Sequence, residues 1–213
     1  MSEIVLPVSI GEALDKLSIL DIKRQKINDT RKQCVEYEYT ILNNKMDNIL
    51  KSTSELYFLL KTINLVIWDQ MDNLRDNKML NENDYTMLCK QCIETNDMRF
   101  RVKNKINLLS NSTIKEQKSY NINTLKININ SDNLNLQLLI SPLKYLSLLY
   151  DQLVINSTQN MSELLDIFKY DSTIIWNNFD IQSIKTINID NNILPHTIYT
   201  ILDIDENDFK KYF

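Results

Sequence analysis

The first 110 residues space their apolar side chains at intervals of three and four, the period of helices that bury one face. The stretch SIGEALDKLSILDIKRQKI (9–27) predicts the first helix, and further helices are predicted over 32–51, 54–75 and 84–109. Short polar stretches such as NLRDNKMLNEND separate them. Four helices joined by short loops predict an antiparallel bundle over residues 1–110.

The period changes after residues 111–123, a polar segment typical of a linker. Short runs rich in β-branched residues follow and predict strands: TLKINI, LQLLIS, QLVIN, STIIWN and KTINI. Between them, PLKYLSLLY and MSELLDIFK predict short helices, the first with Pro142 in its opening turn. This alternation predicts a small α/β domain over 124–213 with a mainly parallel sheet, in which LLIS, QLVI and TIIW are neighbours. The expected fold class is therefore α+β.

Charge divides at the same place as the pattern. Residues 1–118 hold 18 Lys and Arg against 17 Asp and Glu, whereas residues 119–213 hold 6 against 11. Neither half has the basic excess of a nucleic-acid-binding protein. No apolar run reaches the roughly 20 residues that span a bilayer, so no membrane partner is expected.

The chain has one glycine, Gly11, and it falls at the second position of the first predicted helix. Ser9 and Glu12 before and after it have the spacing of a capping box. Glycine inside a helix costs on the order of 1 kcal/mol relative to alanine, so close approach of another group must require it. A neighbouring helix or a bound anion would each do so, and helix packing is the preferred interpretation.

Three of the predicted helices carry polar stripes at spacings of three, four and seven. The stripes are Glu12, Asp15, Lys16, Ile19 and Lys23; Asn64, Trp68, Asp69, Asp72 and Arg75; and Asn96, Asp97, Arg99, Lys103 and Asn107. One hypothesis is a polar ligand pocket between helices, in which the Glu12/Asp15 and Asp69/Asp72 carboxylate pairs could hold Mg²⁺. The alternative is that these are solvated faces, or that Lys and Arg neutralise the carboxylates across the helices. Ion pairing needs fewer assumptions, and no resident cofactor is expected.

The cysteines and the single histidine offer little catalytic chemistry. Cys89 and Cys92 have C-x-x-C spacing inside a helix, and zinc would require Cys34 and His196 from other elements. We expect buried thiols instead, in a reducing compartment, because an odd number of cysteines argues against a disulfide framework. No catalytic residue is predicted.

The first half resembles an uncharacterised helical domain family of bacteria and giant DNA viruses of amoebae, often associated with glycosyltransferases. The matching pieces are PVSIGEALDKLSILDIK, NLVIWDQMDNLRD and CIETNDMRFRVKNKIN. The resemblance covers about half of the chain and favours a shared pocket. The candidate ligand-binding residues are Glu12, Asp15, Lys16, Trp68, Asp72, Arg75, Asn96, Arg99 and Lys103.

The segment 141–178 is faintly similar to the nucleotide-sugar half of two-domain glycosyltransferases. INSTQNMSELL stands where that half has a glycine-containing loop, so donor binding is expected to be lost. These resemblances imply a non-catalytic binding or regulatory protein connected with glycan assembly, with another protein such as a glycosyltransferase as partner. They imply the host cytoplasm or the virion as location. The alternative is a Mg²⁺-dependent phosphohydrolase or nucleotide-sugar enzyme that uses the helical carboxylates.

Overall fold

The computed structural model describes residues 4–76, 81–117, 122–183, 185–190 and 197–213. The chain forms two compact units, unit 1 over Met1–Gln117 and unit 2 over Lys118–Phe213. The division falls inside the segment 111–123 that the sequence marks as a linker. Unit 1 is helical and unit 2 is an α/β unit, as the change of period predicts.

Among its described residues, unit 1 contains three long helices where the sequence predicts four. They are α1 (Ile10–Lys26), α2 (Lys32–Arg75) and α3 (Glu82–Leu109). The predicted second and third helices are both parts of α2, which is continuous across residues 52 and 53. The predicted first and fourth helices correspond to α1 and α3, although Asn81 rather than Asp84 caps α3 by accepting from the Asp84 amide.

The break predicted between the second and third helices is a kink in α2. Thr53 departs from helical geometry, with φ −121° and ψ 17°. The hydroxyls of Ser52 and Thr53 both donate to the Ile49 carbonyl, at 3.0 and 2.8 Å. Hydroxyl side chains that bond to the preceding turn compete with the backbone ladder and bend helices. The sequence marked the correct place, but local polarity bent the helix instead of ending it.

The core of unit 1 lies where all three helices meet. Its fully buried side chains include Leu14, Leu17, Leu60, Ile63, Val102 and Ile106. On each helix these apolar residues recur at three or four, which is the stripe that the sequence shows. The pairing of α1 residue 12 with α3 residue 103, and of residue 15 with residue 99, shows that these two helices are antiparallel.

Unit 2 contains a four-stranded parallel sheet in the order β3-β2-β1-β4. The elements, in chain order, are β1 (Thr124–Ile129), α4 (Gln137–Leu149), β2 (Gln152–Ser157), α5 (Ser162–Ile167), β3 (Ile174–Trp176), β4 (Lys185–Ile189), α6 (Ile198–Ile201) and α7 (Glu206–Tyr212). Four of the five predicted strands, both predicted helices and the parallel pairing are confirmed. QLVI and TIIW are neighbours, in β2 and β3.

The fifth predicted strand, LQLLIS, is wrong, because residues 137–141 form the first turns of α4. Leu139, Leu143 and Leu146 are buried at helical spacing, and the predicted strand held only the first of them. Pro142 therefore lies inside the helix rather than in its opening turn. It deprives only the Leu138 carbonyl, near the start of the helix, of a donor. β1 takes the central place expected for LLIS.

The two faces of the sheet differ in chemistry. Leu125, Ile127 and Ile129 of β1 point to one face, together with Leu153 and Ile155 of β2, and all five are at most 2 % exposed. The residues between them point to the other face, which is polar toward the carboxyl ends of the strands. No helix within the described residues is both long and apolar enough to cross a membrane.

Candidate functional site

Gly11 is required by the close approach of α3 to the start of α1. A Cβ at this position would lie 2.4 Å from the Lys103 carbonyl oxygen and 3.0 Å from the Asn107 side-chain oxygen. Contacts this short with a backbone atom do not occur in real structures, so any side chain would push the helices apart. The glycine is therefore required for helix packing, which is the explanation that the sequence favours.

The first-turn amides of α1 are all engaged within unit 1. The Ser9 hydroxyl accepts from the Glu12 amide at 3.1 Å, as predicted for the helix cap. The Gly11 amide donates to Asn107 Oδ1 at 2.7 Å, and the Ile10 amide donates to Ser112 Oγ at 3.2 Å. These bonds use the donors that would otherwise bind an anion at a helix start. A bound anion is therefore disfavoured as the reason that position 11 is a glycine.

Asp15 is the most deeply buried carboxylate of the predicted stripes, with 2 % exposure. Its Oδ1 accepts from Asn64 Nδ2 at 2.8 Å, and its Oδ2 lies 3.2 Å from Arg99 Nη2. Asn64 also donates to Ser18 Oγ at 2.7 Å, and the Ser18 hydroxyl donates to the Asp15 carbonyl. All three helices thus converge on this carboxylate.

Burial controls the protonation of Asp15. Desolvation raises the pKa of its carboxyl above the ordinary value of 3.8, and the Asn64 hydrogen bond and the charges of Arg99 and Lys103 offset this only in part. A group with a raised pKa holds its proton more tightly in the folded protein than in the unfolded chain. Keeping Asp15 ionised in this buried position therefore lowers the stability of the folded protein, and the Asn64 hydrogen bond and the charges of Arg99 and Lys103 reduce that loss.

Lys103 bridges two other carboxylates. Its Nζ lies 2.8 Å from Glu12 Oε2 and 2.5 Å from Glu116 Oε2, and its side chain is 6 % exposed. Burial disfavours the ammonium, but hydrogen bonds to Glu116 and Glu12 outweigh it and raise the pKa of Lys103. Glu12 thus completes only half of the capping box, because its carboxylate turns to α3. We call Glu12, Asp15, Arg99, Lys103 and Glu116 the ion-pair cluster.

The remaining candidate residues lie outside this cluster. Lys16 is exposed and pairs with Glu38 at 2.7 Å. Asp72 and Arg75 pair with each other on the surface of α2 at 3.4 Å, Asn96 is exposed, and Trp68 is half-buried one turn beyond Asn64. The convergence expected of the three stripes therefore holds for Glu12, Asp15, Arg99 and Lys103, and fails for the exposed residues Lys16, Asp72, Arg75 and Asn96.

Ion pairing across helices is confirmed for three of the four carboxylates that the Mg²⁺ hypothesis named. Glu12 and Asp15 pair with α3, and Asp69 pairs with Lys26 of α1 at 3.2 Å. Asp72 is the exception, since its partner is on its own helix. The described residues contain no group of three or more His, Cys, Asp or Glu side chains placed to hold a metal ion.

The thiols are distributed differently from the expectation of burial. Cys34 is exposed, which corrects that prediction, and Cys89 and Cys92 are half-buried. The Cys92 thiol lies 3.7 Å from the Met71 sulfur between α2 and α3. His196, the fourth residue of the zinc hypothesis, lies outside the described residues.

A second polar region, which is not among the predicted site residues, lies at the carboxyl ends of the strands in unit 2. Asn156 Nδ2 donates to Asn128 Oδ1 at 3.1 Å, and Asn128 Nδ2 donates to Asn188 Oδ1 at 3.0 Å. This asparagine ladder crosses β2, β1 and β4. A similar bond lies just beyond the ends of β1 and β4, where Asn130 Nδ2 donates to Asp190 Oδ1 at 3.0 Å.

The loop after β2 extends this region. Thr158 Oγ1 donates to Asp132 Oδ1 at 3.0 Å, and Gln159 Nε2 donates to the Leu134 carbonyl at 2.9 Å. The side-chain oxygens Asn156 Oδ1 and Gln159 Oε1 are buried without a hydrogen-bond partner in the described structure. We call this region the carboxyl edge; it comprises Asn128, Asn130, Asp132, Asn156, Thr158, Gln159, Asn188 and Asp190.

A repeated signal in the sequence accompanies the ladder. The strands β1, β2 and β4 end in INI, INS and INI, with the asparagine in the same place each time. The strand register aligns Asn128 with Asn156 and with Asn188. Glu116 of the ion-pair cluster had no such signal, because it lies in the segment predicted as a linker.

Comparison with known proteins identifies no relative: no family model, no curated protein and no solved structure matches the chain.

Proposed function

We propose that the chain is a non-catalytic binding or regulatory protein connected with glycan assembly. The observation that supports the non-catalytic part is the saturation of the ion-pair cluster. Asp15 has Arg99 and Asn64 as partners, and Glu12 shares Lys103 with Glu116. Carboxylates that are paired with cations and hydrogen-bond donors serve the packing of the helices, and a Mg²⁺ ion would have to displace those partners.

The connection with glycans rests on the resemblance of the first half to a glycosyltransferase-associated domain family. The α/β architecture of unit 2 is compatible with the fainter resemblance of the second half. Neither resemblance supplies a reaction. The loop after β2 has Thr158, Gln159 and Asn160 where a phosphate-binding loop would have glycine.

A ligand panel distinguishes this proposal from the enzymatic alternative. The purified protein is incubated with Mg²⁺ and a set of nucleotides, nucleotide sugars and phosphate esters. Product formation and the midpoint of thermal unfolding are both measured for each ligand. We expect no turnover above that of the buffer control. Mg²⁺-dependent hydrolysis that an Asp15→Asn variant abolishes, while it folds as well as the parent, would refute the proposal.

A further inference from the structure

We propose that the carboxyl edge of unit 2 binds a neutral ligand with vicinal hydroxyl groups, of the kind that a sugar residue presents. This inference rests on the proposed function, since it gives that binding protein a site and a ligand class. Its physical basis is a pair of buried, unpaired side-chain oxygens at the end of β2, beside a ladder of amides that extends across β1 and β4, where parallel sheets receive ligands.

The topology makes the carboxyl edge a favourable location. The chain passes from β1 to β2 to β3 in one direction and then returns past β1 to β4. In open parallel sheets, ligands bind beyond the carboxyl ends of the strands where the direction of winding reverses. Here that position lies between β1 and β4, and Asn130 and Asp190 follow those two strands.

The unpaired oxygens indicate a missing donor. Asn156 is 3 % exposed, and its Oδ1 has no partner within the described residues although its Nδ2 is bonded. A buried acceptor without a donor costs the free energy of its lost hydration. Gln159 is half-buried, and its Oε1, three residues farther along the chain, is also buried and without a partner in the described structure. Two acceptors of this kind at the end of one strand are suited to a ligand that donates hydrogen bonds.

A hydroxyl group satisfies the ladder in either orientation of its amides. If the three asparagines are turned over together, the unpaired atom of Asn156 becomes an NH₂ group instead of an oxygen. A hydroxyl both donates and accepts, so it can bond to either group. Vicinal hydroxyls, spaced like the two polar atoms of a carboxamide, could engage one such side chain at two points.

Charge argues against the other ligand classes. The segments 130–136, 157–161 and 177–180, which follow β1, β2 and β3, contain no Lys or Arg, and they include Asp132 and Asp180. The nearby cation Lys126 of β1 donates to the Phe179 carbonyl at 3.1 Å. A phosphate group would therefore meet Asp132 and Asp180 beside a lysine that is already bonded to the backbone, which disfavours nucleotides and sugar phosphates. A cation such as Ca²⁺ is disfavoured because Asp132 and Asp190 already accept from Thr158 and Asn130, and the described residues contain no group of three or more His, Cys, Asp or Glu side chains placed to hold a metal ion.

The test is a titration of the full chain with methyl glycosides of hexoses and N-acetylhexosamines, followed by ¹H–¹⁵N spectra. We expect saturable shifts of the side-chain NH₂ signals of Asn128, Asn156 and Gln159, and no shift of Asn64 in unit 1. Gln159→Leu and Asn156→Leu should each weaken binding by roughly 2- to 10-fold, the effect of losing one neutral hydrogen bond. Gln182→Leu, at an exposed position of the same unit, is the control and should bind as the parent does.

Two results would overturn the inference. One is the absence of shifts with every glycoside at millimolar concentration. The other is a response of these signals to Ca²⁺ or to a nucleoside diphosphate alone. If Asn156→Leu fails to fold, Gln159→Leu and the parent titration still decide the question. Failure of the proposed function would show separately, as Mg²⁺-dependent turnover that requires Asp15 in unit 1.

Discussion

The ion-pair cluster of unit 1 and the carboxyl edge of unit 2 treat their buried polar groups differently. The contrast is between these two sites and not between the whole units, because Tyr57, Gln70, Asn104 and Asn107 of unit 1 also have a buried side-chain atom without a hydrogen-bond partner in the described structure. In unit 1, each carboxylate of the ion-pair cluster has a cation partner, and the amides at the start of α1 are occupied. At the carboxyl edge of unit 2, Asn156 and Gln159 each keep an oxygen without a donor. Paired carboxylates hold the helices of unit 1 together, whereas the unpaired oxygens of the carboxyl edge lack the donor that the proposed ligand would supply. We therefore interpret the first set as structural, and the second set is the site of the binding proposed above.

The same substitution in both units tests this contrast and should give the largest effect. Asn64→Leu removes the donor that Asp15 and Ser18 share in a buried site. We expect it to lower the free energy of unfolding by about 3 kcal/mol, since a buried carboxylate loses its hydrogen bond. Asn156→Leu removes one amide bond and one unpaired oxygen, and should cost about 1 kcal/mol or less. Urea unfolding of both variants measures the difference, and equal losses would contradict the contrast.

Two lysine variants compare the stability that a buried ion pair and an exposed ion pair each contribute to unit 1. Lys103→Met leaves Glu12 and Glu116 without their shared cation, and we expect a loss of about 2 kcal/mol. Lys16→Met is the matched control, because Lys16 also pairs with a glutamate but in an exposed position. Its loss should be below about 0.5 kcal/mol. Similar midpoints for the two variants in urea would show that the Lys103 bridges contribute little.

Gly11→Ala tests the close contact of α1 with α3. Alanine favours the helix by about 1 kcal/mol over glycine, but its Cβ would meet the Lys103 carbonyl at 2.4 Å. We expect a net loss of about 1 to 2 kcal/mol, because a backbone atom can move only if the helices separate. Asn48→Ala, at an exposed position of α2, gains helix propensity without a clash and should stabilise slightly. A more stable Gly11→Ala variant would refute the packing explanation.

The dependence on pH should give the smallest effect. Because burial raises the pKa of Asp15 above 3.8, the folded state binds its proton more tightly than the unfolded chain does. The stability of the parent relative to Asp15→Asn should therefore fall as pH rises from about 3.8 through the raised pKa. Urea titrations of both proteins between acid and neutral pH measure this slope, with the exposed Asp72→Asn as control. A relative stability that rises with pH would mean that Arg99 lowers the pKa of Asp15.

Much of unit 1 could be predicted from the sequence because local signals specify it. Ser9 caps α1 as its position indicates, and the spacing of Glu12, Asp15, Arg99 and Lys103 brings them together. Helical spacing gives the side of a helix on which a residue lies, but not the helix that faces it. For this reason the spacing makes Lys16 a candidate pocket residue, although it pairs with Glu38 outside the ion-pair cluster.

The remaining features depend on tertiary structure. The asparagines of the ladder occur at equivalent places in three strands, yet only the register brings Asn128 beside both Asn156 and Asn188. The run LQLLIS fits a buried strand as well as a buried helix when it is considered alone. The buried leucines continue beyond Pro142 at helical spacing, and their packing stabilises a helix instead of a strand.

The central claim is that the carboxylates of unit 1 are structural, and urea unfolding with and without Mg²⁺ tests it most directly. A ligand that binds only the folded state raises its stability with concentration in a saturable way. We predict that millimolar MgCl₂ shifts the unfolding midpoint of the parent no more than NaCl of equal ionic strength. A saturable rise with Mg²⁺ that disappears in Asp15→Asn would contradict the claim and place a metal ion at Glu12 and Asp15.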